Sequence, residues 1–164
     1  MKDELKYIFA NVNEWLKFAE AKHAGLIVLN SAIIIGVSSS DSKLFENWAV
    51  YVSLIALGLS ILLSLLSQFP VTSNFLVRYK EKESPNIYFF GDLAEIKMND
   101  FITEYKKSFS DFDANSADKH LINQILVNAK ITSTKFLIFK FCCWLSVFGL
   151  GVLGISTLMK LLCQ

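Results

Sequence analysis

The sequence predicts an all-α membrane protein: three transmembrane helices, N-terminus in and C-terminus out, with a small cytosolic helical region between the second and third spans. Three observations carry this reading. Hydrophobic residues make up 53% of the 164 and charged residues only 19%, whereas about a quarter of a soluble domain is charged. Three long stretches contain no Asp, Glu, Lys or Arg. Two prolines and seven glycines are too few for a turn-rich β-barrel or a disordered chain. Lys and Arg number 16 against 15 Asp and Glu, so a net charge of +1 gives no reason to expect a nucleic-acid partner. The cysteines, Cys142, Cys143 and Cys163, all lie in an apolar segment and predict no disulfide framework.

Residues 1–23 read as a cytosolic amphipathic helix leading into the first span. Tyr7, Ile8, Val12, Trp15, Phe18 and Ala19 recur at three- and four-residue steps. Four acids among these residues (Asp3, Glu4, Glu14, Glu20) argue against a cleavable signal peptide. The first span, 24–40, is short for a bilayer. It crosses about 30 Å of hydrocarbon if the helix starts near Ala19 and Lys22 extends toward the headgroups. The second span, 48–69, lies in an uncharged run of 31 residues from Asn47 to Val77, and Pro70 ends or kinks its helix. Residues 70–135 form the expected cytosolic sensing region. Within it, Asn99 is placed to cap a helix to about Phe109, presenting Phe101, Ile102 and Tyr105 on one side. Ser116 is placed to cap another helix, with no stop signal before Leu161. That helix, about 68 Å long at 1.5 Å per residue, joins the sensing region to the third span, 136–162, as one rod.

Lysine placement sets the orientation. Residues 1–23 carry four Lys, and the connection from Ser38 to Asn47 carries only Lys43. Nine cations fall in 70–135: Arg78, Lys80, Lys82, Lys97, Lys106, Lys107, Lys119, Lys130 and Lys135. Positive-inside bias puts the N-terminus and 70–135 in the cytoplasm. Trp15, Trp48 and Trp144 flank or enter the spans, as interfacial aromatics do.

No catalytic set emerges, and the expectation is a protein that is not an enzyme and holds no cofactor. His23 and His120 are the only histidines, far apart, and no metal site has a ligand set. Gly149, Gly151 and Gly154 spell G-x-G-x-x-G, but inside a span, where small residues mean close helix packing. The acids Asp92, Glu95, Asp100 and Glu104 read as solvated faces and caps.

Polar residues within the spans are more informative. Ser53, Ser60, Ser64 and Ser67 share one face of the second span. They either bond their own helix and pack a neighbour, or line water. Asn30, near the middle of the first span, is equally open between helix packing and pore lining. One chain with three spans encloses little of a channel, so a pore requires several copies. After Asp118 no acid remains, and Lys119, His120 and Lys130 continue the positive surface that Lys97, Lys106 and Lys107 begin. These six either meet anionic lipid headgroups or form a phosphate-binding site. Lys135 and Lys140 fit the lipid role best.

Several segments also carry a family pattern. Residues 18–24, Phe-Ala-Glu-Ala-Lys-His-Ala, lead into an apolar helix with Leu29 and Asn30 at its centre. Residues 87–94, Ile-Tyr-Phe-Phe-Gly-Asp-Leu-Ala, follow, and then Asp100-Phe101-Ile102. Last, a helix with Gln124, Ala129, Lys130 and Lys135 enters the final span. In this order the segments resemble the transmembrane effectors of Pycsar antiphage systems, and are similar to the membrane effector of the Hailong system. The resemblance implies a bacterial inner-membrane defence effector that disrupts the membrane during infection. It implies a nucleotide or oligodeoxyadenylate signal from a partner nucleotidyltransferase or cyclase, and a homo-oligomer, a tetramer favoured. The resulting expectation is a homo-oligomeric pore, gated from its cytosolic side, that depolarises the membrane and arrests growth. The alternative is a non-conducting membrane scaffold or partner-binding subunit.

Overall fold

The structure, a computed structural model, describes residues 2–39, 48–69, 84–110 and 112–162. Of these, 88% are helical and none is in a strand. Five helices follow in order: α1 (Lys2–Ser38), α2 (Trp48–Gln68), α3 (Phe90–Glu95), α4 (Met98–Ser108) and α5 (Ser116–Leu162). α1, α2 and α5 are each long and apolar enough to cross a membrane. The expected connection through Lys43, the helix end at Pro70, the cations Arg78, Lys80 and Lys82, and Cys163 lie outside the described residues.

Buried residues of α1 explain its continuity. Leu5, Ile8, Val12, Ala19, His23, Leu26 and Asn30 are buried, at steps of three, four or seven. This is the spacing that keeps one helix face against its partners. Tyr7, Trp15 and Phe18, which share the apolar periodicity, lie on a second, exposed stripe. The sequence pattern therefore sums two faces, and only one of them is core.

The caps differ from the sequence reading by one or two residues. α4 begins at Met98, with Lys97 at the N-cap position and no side-chain cap bond, so Asn99 is already inside the helix. For α5 the cap is Asn115 and not Ser116. Asn115 Oδ1 accepts from the Asp118 N–H at 2.9 Å, and Asp118 Oδ2 accepts from the Asn115 N–H at 3.3 Å. Two N–H groups that a helix start leaves free are thus satisfied reciprocally.

The chain divides into two compact units. The first comprises Met1–Glu20 and Val71–Phe136. Its core joins Leu5, Ile8 and Val12 of α1 to Leu93 and Ala94 of α3, Phe101 and Tyr105 of α4, and Ile122, Ile125, Leu126 and Ala129 of α5. Burying side chains of this size stabilises by about 1.5–3 kcal/mol each. Phe101 and Tyr105 face inward and Ile102 is partly buried, as the spacing in α4 requires. Asn128 Nδ2 donates to Asn13 Oδ1 at 2.8 Å, and Lys135 Nζ pairs with Glu20 Oε1 at 3.0 Å.

The second unit comprises Ala21–Pro70 and Leu137–Gln164, so it packs the later part of α1, all of α2 and the later part of α5. Its polarity is inverted. Val28, Leu29, Ile55, Leu62, Leu66, Phe141, Trp144 and Phe148 are exposed, while His23, Asn30, Ser60, Ser64 and Ser146 are buried. An aqueous protein does the reverse. A unit with an apolar exterior and its hydrogen bonds inside is built for hydrocarbon surroundings.

Candidate functional site

The polar interior of the second unit forms a seam along α2. Four of the buried residues of α2 are serines, Ser53, Ser60, Ser64 and Ser67. They recur at steps of seven, four and three, so one stripe faces the other two helices. At 1.5 Å per residue the stripe is about 21 Å long.

The centre of the seam is a three-helix node. Asn30 Nδ2 of α1 donates to Ser60 Oγ of α2 at 3.0 Å and to Ser146 Oγ of α5 at 2.8 Å. Ser60 Oγ and Ser146 Oγ each reach the Cys142 carbonyl at 3.0 Å and lie 3.0 Å from each other. Both amide hydrogens are used, whereas Asn30 Oδ1 is buried with no hydrogen-bond partner. Turning the amide over gives Oδ1 the two hydroxyls and strands Nδ2 instead. In either sense one end of the amide is left over. Ser64 Oγ is likewise buried without a partner. Each such group costs about 1–3 kcal/mol.

The ends of the stripe are closed locally. Ser53 Oγ donates to the Ala49 carbonyl one turn back at 3.0 Å. Ser67 Oγ lies 3.2 Å from His23 Nε2. The His23 ring meets the Phe139 ring edge-on at 5.4 Å, and Lys22 Nζ lies 5.4 Å from the centre of that ring.

Of the three glycines in the G-x-G-x-x-G run, only Gly149 packs closely. A Cβ there would lie 3.2 Å from the Ser53 carbonyl oxygen and 3.3 Å from Leu57 Cγ. A Cβ on Gly151 or Gly154 would meet nothing within 4 Å. The packing role assigned to all three therefore belongs, within this chain, to Gly149.

The expected ligand cations lie in the first unit and are not equivalent. Lys97, Lys106, Lys107, Lys119 and His120 are exposed, but Lys130 is buried. Lys107 Nζ sits 2.6 Å from Glu104 Oε1, which offsets its charge. The eleven-residue spacing that aligns Lys119 with Lys130 holds along the helix, yet core packing begins between them, at Ile122 and Ile125. Lys135, read as a lipid-headgroup contact, is instead 3% exposed and paired with Glu20. A buried ammonium needs its counter-ion close by, and residue spacing alone did not identify the acid 115 positions away. Lys140 remains exposed.

Sequence reasoning also missed Ser146. Its signal is present, because Cys142, Ser146 and Gly149 are small residues at four- and three-residue steps inside the third apolar run. Among the described residues, no group of three or more His, Cys, Asp or Glu could hold a metal ion.

The family model for the Pycsar effector protein domain matches residues 4–160. No curated protein and no solved structure matches the chain. The match runs through both compact units and all five helices, and the inverted polarity of the second unit agrees with a membrane-resident effector. The chain belongs to the Pycsar effector protein domain family.

Proposed function

We propose that this chain is the membrane-disrupting effector of an antiphage system in the bacterial inner membrane. In this reading it is a homo-oligomer, a tetramer favoured, that forms an ion-conducting pore gated by a nucleotide or oligonucleotide signal. The signal comes from a partner nucleotidyltransferase or cyclase, and opening depolarises the membrane and arrests growth. Residues 1–23 and 70–135 lie in the cytoplasm and the C-terminus outside, by the lysine bias.

The observation that carries the proposal is the node of Asn30, Ser60 and Ser146 inside an apolar jacket. Hydrogen-bonding side chains in a membrane interior need either a partner on another helix or water. In the closed state the seam satisfies most of its polar groups from within one chain. Separating the helices would give Asn30, Ser64 and Ser146 to water and line a path. The signal acts at the exposed cations Lys97, Lys106, Lys107, Lys119 and His120, with anionic lipid as a competitor for the same charges. Lys130, being buried, joins them only after rearrangement. The signal shifts closed against open by its affinity difference between the two states. α5, unbroken from Ser116 to Leu162, is the element through which a rearrangement near Lys119 reaches Ser146.

Purified full-length protein in liposomes provides the test. Signal-dependent ion flux is expected, reduced by charge reversal at Lys106 and Lys119. Absence of flux at every protein and signal concentration, from vesicles holding folded helical protein, would end the pore reading. A second reading is a non-conducting scaffold, and one observation favours it: all four α2 serines are turned into their own chain. The scaffold predicts no flux from the wild-type chain and unchanged toxicity for Ser64→Ala.

A further inference from the structure

The residues of the Phe-Phe-Gly-Asp motif do not contribute to the polar seam, and the structure gives them a different setting. Asn86 N–H donates to Asp92 Oδ2 and Tyr88 N–H donates to Asn86 Oδ1, each at 2.9 Å. These bonds fold 86–92 into a compact turn opening α3. One stripe of α1 then clamps it. Tyr88 OH donates to Glu4 Oε1 at 2.9 Å, the Tyr7 and Tyr88 rings meet edge-on at 6.3 Å, and Asn11 Nδ2 donates to the Tyr88 carbonyl at 2.9 Å. One turn further along α1, Trp15 lies 5.3 Å from Phe90. Phe90 in turn stacks on Phe136 of α5, with centroids 5.3 Å apart and planes 23° apart. Phe18 closes the group against Trp15 and Phe136.

Three rings of this cluster are partly open at the surface. Trp15, Phe18 and Phe89 are 37%, 47% and 45% exposed. Phe89 is held outward against Phe90, with centroids 4.9 Å apart. Gly91 makes that pose available, since a Cβ there would lie 2.5 Å from Phe89 Cε1. The turn thus presents a large ring at the surface and has no Cβ where the ring lies.

We propose that the Tyr88-Phe89-Phe90 turn is a membrane-interface anchor, which inserts Phe89 with Trp15 and Phe18 at the boundary between lipid headgroups and acyl chains. Continuity along each helix identifies the occupant. On α5, Phe136 is followed directly by exposed Leu137, Phe141, Trp144 and Phe148, the lipid-facing surface of a spanning helix. On α1, Phe18 precedes Lys22 by one turn and exposed Leu29 by three. Along α1 and along α5 the patch residues thus come just before the apolar run of a spanning helix, the position in a chain where interfacial aromatic rings collect. The proposal requires a membrane but not a pore, so it stands or falls apart from the conduction reading.

The test uses the full chain in phosphatidylcholine vesicles, with Trp15, Trp48 and Trp144 replaced by Phe and Phe89→Trp as the one tryptophan. Blue-shifted emission is expected, lost when the vesicles contain lipid brominated near the top of the acyl chain and little affected by aqueous acrylamide. Quenching by acrylamide and not by brominated lipid would overturn the proposal by placing the ring in water. Blue-shifted emission that neither agent quenches would also overturn it, by placing a second copy of the chain over the patch. If the tryptophan variant does not fold, a nitroxide on Phe89→Cys in a background lacking Cys142, Cys143 and Cys163 reads the same depth. Greater relaxation by oxygen than by a water-soluble nickel chelate is expected, and the opposite order would overturn the proposal.

Discussion

Asn30 uses both amide hydrogens and leaves its oxygen unused, and this imbalance makes its variants informative. Asn30→Ala deletes two hydrogen bonds but also the stranded oxygen, while Ser60 and Ser146 keep the Cys142 carbonyl. We expect a loss of about 1 kcal/mol, the scale of interhelical bonds within membranes. Asn30→Asp leaves the shape nearly unchanged but buries a carboxylate, so it should cost at least about 2 kcal/mol more. Unfolding of the detergent-solubilised protein in mixed micelles would rank the two, and an Asp variant as stable as the Ala variant would contradict the assignment. Tyr105 offers a pH test in the first unit. Its ring is packed by Phe109 at 4.7 Å and Phe112 at 4.6 Å. Burial first, then the negative fields of Glu4, Tyr88 and Asp118, push its phenol up to about 12. A raised phenol means that the folded state holds the proton more tightly. The stability this contributes is complete below the ordinary value of 10.0 and is lost as pH rises from there toward about 12. Tyr105→Phe should abolish that part of the alkaline decline, as followed by near-ultraviolet circular dichroism.

Helix α5 starts at a reciprocal cap and ends in the third apolar run, and it is the element in which sequence and structure are easiest to compare. Its length was legible because no proline or glycine interrupts residues 116–148, and the uncharged run 141–159 that overlaps this stretch carries the helix on through the third span. Its start was misplaced by one residue, because Ser and Asn both cap well and only the Asp three positions on distinguishes Asn115. Asn115→Ala should destabilise the first turn by about 1 kcal/mol, seen as faster amide exchange near Asp118 with the later turns unchanged. The spans were readable from uncharged apolar runs and the small core of α4 from periodicity, both of them local signals. Lys135 with Glu20 and Ser146 with Asn30 were not, since both pairings join residues more than 100 positions apart. The periodicity of α1 was ambiguous for a different reason: Ile8 and Val12 serve the core while Trp15 and Phe18 serve the surface, and both sets obey helical spacing.

At the scale of the molecule, two units share a pair of unbroken helices, α1 and α5. One unit is an ordinary apolar core with charged surroundings. The other buries serines and an asparagine and leaves many of its large apolar side chains outside. Orientation is the property on which the functional reading depends. Lys107→Cys, in a background lacking the native cysteines, should react with an impermeant maleimide only from the cytoplasmic face of inner-membrane vesicles. Labelling from the periplasm would invert the topology and remove the signal site from reach of a cytoplasmic enzyme. Gly149 sets a limit on how the spanning unit moves. Its missing Cβ brings α5 against the Ser53 carbonyl of α2, with about 3 Å where a methyl would sit. Any larger side chain at that point would press on the α2 backbone, so the close approach depends on glycine there. Any opening of the polar seam that leaves this contact intact must therefore part the helices elsewhere along their length.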